Sequence, residues 1–263
     1  MLEKNYSNDK RMVLATDLDG TFLGGSEAER QSLYQWIEDN RDGIGLIFVS
    51  GRDLPFIKQL CDGTPVPWPD FVIGDVGTTI AHVKDEDGDK LIHPILDLEA
   101  EISELWGDAG ETVRGALTDA PGLKPQETPF RYRMSYHYDP ETYDPSAEDV
   151  IREMGHDVLI SDNRFFDVLP KGISKGPSLL RLIDWIGFHP SRLLVAGDTL
   201  NDLSLFETGL NGVAVGNSET GLLKRIEGRD NVHFAKGHGA AGIREAIDAF
   251  NLYPTEGEHS HVV

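Results

Sequence analysis

Five short apolar runs punctuate the chain: MVLAT (12–16), IGLIFVS (44–50), FVIGD (71–75), RLLVAGD (192–198) and GVAVGN (212–217). None alternates apolar with polar positions, which is the pattern of strands covered on both faces. Between several of them the apolar period lengthens to that of a helix. Ser26 and Glu29 form a capping-box signature, Leu33, Trp36 and Ile37 mark one apolar stripe, and Gly43 closes the segment. From Lys175 onward, Leu179, Leu182, Ile183 and Ile186 repeat at helical spacing until Gly187. Strands and helices alternating in this way predict an α/β fold built on a parallel, doubly wound sheet.

The stretch between the third and fourth strands breaks the pattern. KDEDGDK (84–90) reads as a charged turn, 97–120 as helical, and FRYRMSYHY (130–138) as a half-exposed strand. A helix is expected over 145–154, and DVLISDNRFFDVLP (157–170) has the shape of a hairpin turning at Asp162 and Asn163. These elements predict an inserted α+β domain over 84–167, which leaves core segments 1–83 and 168–263. Within the 130–138 strand, Arg131, Arg133, Ser135 and His137 would share one face, and Tyr132, Met134, Tyr136 and Tyr138 the other. The first face suits solvent or sugar hydroxyls; the second suits packing. His82 and His93 read as structural.

Composition narrows the choices. With 263 residues, 39% of them hydrophobic, the chain can bury one large core or a core plus a smaller insert. A net charge of −21 argues against a nucleic-acid or anionic-membrane surface. The single cysteine, Cys61, excludes an internal disulfide framework and a cysteine-based zinc cage, and reads as a small buried hydrophobe. No apolar run reaches the roughly 18 residues needed to span a bilayer. The start, MLEKNYSNDKR, lacks an apolar signal region, so a cytoplasmic protein is expected, and nothing in the pattern demands more than a monomer. His259 and His261 fall in PTEGEHSHVV, which reads as a frayed tail.

The strand ends carry the chemistry. The first run continues into DLDGT, where Asp17 and Asp19 sit two apart and in an extended chain would share a face. Two carboxylates held that close repel unless a cation lies between them, and oxygen ligands suit Mg²⁺. Gly20 lets backbone approach a ligand, and Thr21 offers a hydroxyl. The second run ends in Ser50-Gly51-Arg52, where backbone N–H groups freed by glycine can face an anion. The fourth ends GDTLND, placing Asp198, Asn201 and Asp202 around a loop and first helical turn; the last two could cap that helix, but the G-D-x-x-N-D pattern is too specific for capping to be the better account. Lys175 opens a helix, where the macrodipole disfavours a cation, so a partner is expected in the acids or a phosphate; Lys171 is its rival. Asp75 and Thr78, in GDVGTT at the third strand's end, are expected near the cleft between core and insert.

Taken together, Asp17-Leu18-Asp19-Gly20-Thr21, Ser50-Gly51-Arg52, Lys175 and Gly197-Asp198-Thr199-Leu200-Asn201-Asp202 resemble the four ordered motifs of the haloacid dehalogenase superfamily. The position of the insert, with LPKGISKG, IGDVGTTI and GVAVGNSE, resembles the sucrose-phosphate phosphatase branch, whose cap is of the second type. The resemblance implies a Rossmann-like core and a Mg²⁺-dependent sugar-phosphate phosphatase. It makes Asp17 the nucleophile and Asp19 the general acid and base. Mg²⁺ would be held by Asp17, the Asp19 main-chain oxygen, Asp198 and Asp202. Thr21, Ser50, Gly51, Arg52, Lys175 and Asn201 would bind the phosphoryl group, with Asp75 and Thr78 nearby. Sucrose 6-phosphate and mannosylfructose phosphate are the first substrates this implies, with glucosylglycerol phosphate behind them. A phosphomutase of the phosphomannomutase type, and a non-catalytic partner of a sugar-phosphate synthase, are the alternatives.

Overall fold

The computed structural model describes Tyr6 and residues 10–254; His259 and His261 lie outside the described residues. In chain order the strands begin with β1 (Met12–Thr16), β2 (Ile44–Val49), β3 (Phe71–Gly74), β4 (Thr79–Glu86), β5 (Asp89–Pro94) and β6 (Leu123–Pro125). They continue with β7 (Met134–Tyr138), β8 (His156–Ser161), β9 (Phe165–Pro170), β10 (Leu193–Gly197), β11 (Asn211–Ala214) and β12 (Val232–Phe234). The helices are α1 (Glu27–Asp39), α2 (Leu54–Gly63), α3 (Leu96–Trp106), α4 (Ala109–Ala116) and α5 (Ser146–Glu153). After the insert come α6 (Lys175–Trp185), α7 (Leu203–Phe206), α8 (Thr220–Ile226) and α9 (Ala240–Ala249).

One sheet runs β12-β11-β10-β1-β2-β3-β4-β5. Its strands from β12 to β3 are parallel, and β4 and β5 pair antiparallel at the edge. The central strands β1, β2, β3 and β10 are apolar apart from Thr16, because both faces are covered. Leu14, Leu46 and Phe48 pack with Ile37 of α1 and Ile243 of α9 on one face. Val13, Ala15, Ile47 and Val195 pack with Leu179 and Leu182 of α6 on the other. The expected capping box on α1 is present, with the Ser26 side chain accepting from the Glu29 amide. The sheet order reverses between β1 and β10, so the carboxyl ends of β1, β2, β10 and β11 meet at a crevice.

The insert is an antiparallel sheet, β6-β7-β9-β8, covered by α4 and α5. Val113, Ala147, Ile151, Tyr136 and Phe166 form its own core. Two boundaries differ from the expected 84 and 167. Residues 84–94 belong to β4 and β5 of the core sheet, where the charged stretch supplies only the turn, at Asp87 and Gly88. Their partial exposure at a sheet edge gives them a polar pattern unlike that of the central strands. At the other end, β9 stays in the cap sheet to Pro170. α3 bridges the two units, with Ile102 in the core cluster and Trp106 in that of the cap. The 130–138 strand begins only at Met134, so Arg131 and Arg133 lie ahead of it and do not share a strand face with Ser135 and His137. The cap hairpin does turn at Asp162 and Asn163, both with positive φ. Cys61 is buried, and burial pushes its thiol up to about 12. His82 and His93 meet edge to face across β4 and β5, with ring centres 5.9 Å apart. Among the described residues, no helix is long and apolar enough to cross a membrane.

Candidate active site

Each site residue is set by how its strand ends. At the end of β1 the Asp17 amide still donates to the Ala196 carbonyl at 2.9 Å, continuing the pairing with β10. The chain then makes a wide turn, with the amides of Phe22 and Leu23 donating five residues back to Asp17 and Leu18. Gly20 stands in that turn at φ +80°, and a Cβ there would lie 2.2 Å from Asp198 Oδ2. After β10 the loop folds back on itself: the amides of Asp198 and Thr199 donate to Asp202 Oδ2 at 2.9 and 3.1 Å. Gly197 permits this, since its Cβ would meet the Asp202 side chain at 2.5 Å.

These turns bring together Asp17, Asp198 and Asp202, whose ligand oxygens lie within 4.8 Å of one another. Lys175, fully buried at the start of α6, donates to Asp17 Oδ1 at 2.7 Å, Asp202 Oδ1 at 2.7 Å and Asn201 Oδ1 at 2.8 Å. Burial works against its charge, but Asp17 and Asp202 outweigh that and hold the ammonium above its ordinary range. The cation therefore tolerates a helix start because acids surround it. Burial raises the Asp17 carboxyl well above the usual carboxylate range; Lys175 opposes this, while Asp202 and Asp198 add to it. Burial, then the Asp202 charge, pushes Asp198 up to about 7. Three buried carboxylates against one ammonium leave an excess of negative charge in an all-oxygen donor set. That is the arrangement a hard divalent cation relieves.

The remaining expected residues are placed unequally. Thr21 is buried and its hydroxyl donates to Asp198 Oδ1 at 2.9 Å, so it serves that carboxylate. Ser50 is buried beside Gly51, its hydroxyl accepting from the Arg52 amide at 3.2 Å. Gly51, Arg52 and Asn201 line the cleft. Lys171 is exposed, whereas Lys175 is at the acids. Asp19 departs from expectation. Its carboxylate is not in the three-acid cluster but is gripped by Arg52, Nε to Oδ2 at 2.8 Å and a terminal nitrogen to Oδ1 at 3.2 Å. The crowded acids come from distant strands, not from the Asp17–Asp19 pair. Asp75 and Thr78 do not line the cleft. Thr78 donates to the Asp75 carbonyl at 3.0 Å within its own turn, and Asp75 Oδ2 accepts from Thr79 at 2.6 Å.

Asn217 was not expected at the site. Its amide donates to the Gly20 carbonyl at 3.0 Å and to Asp198 Oδ2 at 3.4 Å, and its oxygen accepts from the Gly239 amide at 2.9 Å. The available signal was position: Asn217 lies in the loop after β11 as Asp17 comes straight after β1. The cleft above these groups has a volume of about 650 Å³. Asp17, Asp198 and Asn201 line its core side with Arg52 and Phe56, and Phe130, Arg133, Phe165 and Asp167 line it from the cap.

Comparison with known proteins decides the family. A model of the sucrose-6F-phosphate phosphohydrolase family matches residues 10–251. The chain belongs to this family. Its fold is shared with a haloacid dehalogenase-like hydrolase of Bacillus subtilis, at a TM-score of 0.65 and 15% identity, in line with the superfamily its motifs resemble. This sucrose-6F-phosphate phosphohydrolase family member is 40% identical over 247 residues to a glucosylglycerol-phosphate synthase from Pseudomonas anguilliseptica. The match takes in 94% of the chain but only 32% of that much longer relative. It is 26% identical to the mannosylfructose-phosphate phosphatase of Agrobacterium fabrum, covering 92% of the chain and 98% of the relative. The crystal structure of the Synechocystis sucrose-phosphatase, in complex with sucrose and phosphate, superposes with a TM-score of 0.81 at 27% identity. That superposition covers 92% of this chain and 98% of the other.

Proposed function

We propose that the chain is a Mg²⁺-dependent phosphatase that releases inorganic phosphate from a phosphorylated glycoside through an aspartyl phosphate on Asp17. The observation that carries this reading is the Lys175–Asp17 contact inside the three-acid cluster, at the floor of a cleft roofed by the cap. Asp17, Asp198, Asp202 and the main-chain oxygen of Asp19 would hold the ion. What bound Mg²⁺ supplies is neutralisation of the carboxylates and of the phosphoryl oxygens.

The chain's own groups divide the remaining work. Lys175 occupies Asp17 Oδ1, which leaves Oδ2 to attack phosphorus. As that bond forms, the phosphorus–oxygen bond to the glycoside breaks, and Asp19, once free of Arg52, passes a proton to the departing oxygen. Asp19 then takes a proton from water as the water oxygen attacks phosphorus, which frees Asp17 and yields phosphate. General acid–base help of this kind contributes ~10²–10⁴ in rate. The Gly51 amide, the Ser50 hydroxyl, Lys175 and Asn201 would bind the phosphoryl oxygens, and Asp19 acts once Arg52 lets it go.

The first substrate we infer is glucosylglycerol phosphate, ahead of sucrose 6-phosphate and mannosylfructose phosphate. The support is the 40% identity to one third of a chain named for making that glycoside phosphate. A phosphatase joined to such a synthase would consume its product. The same reading makes the enzyme cytoplasmic, monomeric unless a synthase binds it, and acting where sugar phosphates are formed.

The test is phosphate release from these three esters, with Mg²⁺ and with chelator. Steady release from glucosylglycerol phosphate, at a kcat/KM at least ~10-fold above the two disaccharide esters, supports the reading. Turnover that requires an added bisphosphate makes the chain a mutase, and none under any condition makes it a non-catalytic partner.

A further inference from the structure

The segment FRYRM, expected from sequence to open a half-exposed strand with Arg131 and Arg133 on a face suited to solvent or sugar hydroxyls, is used differently. Arg131 and Arg133 reach from the cap to the core, one on each side of Tyr132. Arg131 forms a two-point pair with Glu99 at 2.8 and 2.9 Å and donates to Thr79 Oγ1 at 3.1 Å. Glu99 also accepts from the Ile80 amide of β4, so this pair is tied to the core sheet. Arg133 is only 5% exposed. One of its terminal nitrogens donates to the Gly51 carbonyl at 2.9 Å and lies 3.6 Å from Asp75 Oδ1; the other donates to Asp167 Oδ1 at 3.2 Å. The Ser135 hydroxyl donates to that same Asp167 oxygen, and the guanidinium lies 3.7 Å over the Phe130 ring.

Two features separate Arg133 from an ordinary buried ion pair. Its partners come from three places that the reaction must align: the phosphate-binding turn at Gly51, the strained turn at Asp75, and the cap wall at Asp167. Asp75 and the following Val76 both hold positive φ, at 54° and 60°, a conformation that persists only when neighbours enforce it. Moreover, Asp75 Oδ1 and Arg133 Nε are both buried without a hydrogen bond. A buried charge left partly unpaired is costly, so stability alone is a poor reason for this arrangement.

We propose that Arg133 is a positioning residue for the phosphatase reaction: it fastens the cap wall that meets the glycoside to the Gly51 turn that meets the phosphoryl group. Resting on the glycoside-phosphatase reading, this assigns Arg133 the task of converting contacts with the remote sugar into correct placement of the phosphorus. Binding energy from a remote group raises the rate only if the scaffold between the two ends is stiff. A small aryl phosphate has no sugar for the cap to hold and gains little from the fastening.

The experiment compares wild type, Arg133→Met and Arg133→Lys on glucosylglycerol phosphate and on p-nitrophenyl phosphate. Hydrogen exchange of each intact protein is measured alongside. For Arg133→Met the expected kcat/KM loss is about 100-fold on the glycoside phosphate and below about 5-fold on the aryl ester. Exchange should quicken in residues 50–53 and 75–79 and not in β1. Arg133→Lys, which keeps the charge on a single donor nitrogen, should lie between the two and provides the test if the methionine variant does not fold. Equal losses on both esters, or unchanged exchange at 50–53, overturn the proposal. If wild type hydrolyses only the aryl ester, the glycoside reading fails, and the exchange measurement still decides the role of Arg133.

Discussion

Lys175 Nζ and Asp17 Oδ1, 158 residues apart in sequence, meet at 2.7 Å in a fully buried contact. The lysine begins a helix and the aspartate ends a strand, and neither place favours a buried charge by itself. Each is tolerated because the other is there. The pair also leaves the active-site charge unbalanced, since Asp198 and Asp202 stand beside it.

Removing Lys175 should therefore affect both chemistry and stability. Lys175→Met strips the ammonium from three buried carboxylates, and breaking such a pair costs about 3–5 kcal/mol. We expect a kcat loss of at least ~10³ and a lower midpoint of urea unfolding in metal-free buffer. Added Mg²⁺ should recover part of the stability but not the activity. A variant as stable as wild type without metal would show that the lysine does not compensate these acids.

The pH dependence has a definite sign. Asp198 binds a proton more tightly in the folded protein, near pH 7, than an ordinary carboxyl does at 3.8. The folded state thus holds the proton while the unfolded chain releases it, and metal-free stability falls as pH rises between these two values. Mg²⁺ competes with the same proton. Thermal unfolding should show a larger Mg²⁺-induced rise in Tm at pH 8 than at pH 5.5. An equal rise at both values would remove Asp198 from the ion's ligands.

Gly20 offers a separate test of the loop geometry. At φ +80° an alanine is strained by about 1–2 kcal/mol, and its methyl group would also displace the Asp198 carboxylate. Gly20→Ala should weaken Mg²⁺ binding measured by calorimetry at least ~10-fold, with only modest loss of overall stability. Unchanged affinity would mean that Asp198 can move without consequence.

Much of this was legible in the sequence because it is local. The central strands are almost wholly apolar, so their burial on both faces could be read directly; the motifs at their ends name Asp17, Asp198 and Asp202, and the start of α6 names Lys175. What was hidden depends on packing between distant segments. Whether Asp19 would crowd Asp17 or turn to Arg52 is decided by the β2 loop, 33 residues away. Thr78 looks like a cleft residue from its place after β3, yet its hydroxyl closes its own turn. Arg131 and Arg133 alternate in a way that fits a strand face, and only the docking of the cap shows that both point to the core. The end of β4 and all of β5 fall in the expected insert because edge strands with one exposed end lose the continuous apolar run of their neighbours.

The central claim is that Asp17 takes up the phosphoryl group. Its most direct test is a rapid acid quench of enzyme, Mg²⁺ and glucosylglycerol phosphate during turnover, followed by peptide mass spectrometry. The account predicts a phosphorylated peptide containing Asp17, absent in the folded but inactive Asp17→Asn variant. Phosphate on another residue, or normal phosphate release by Asp17→Asn, would contradict it.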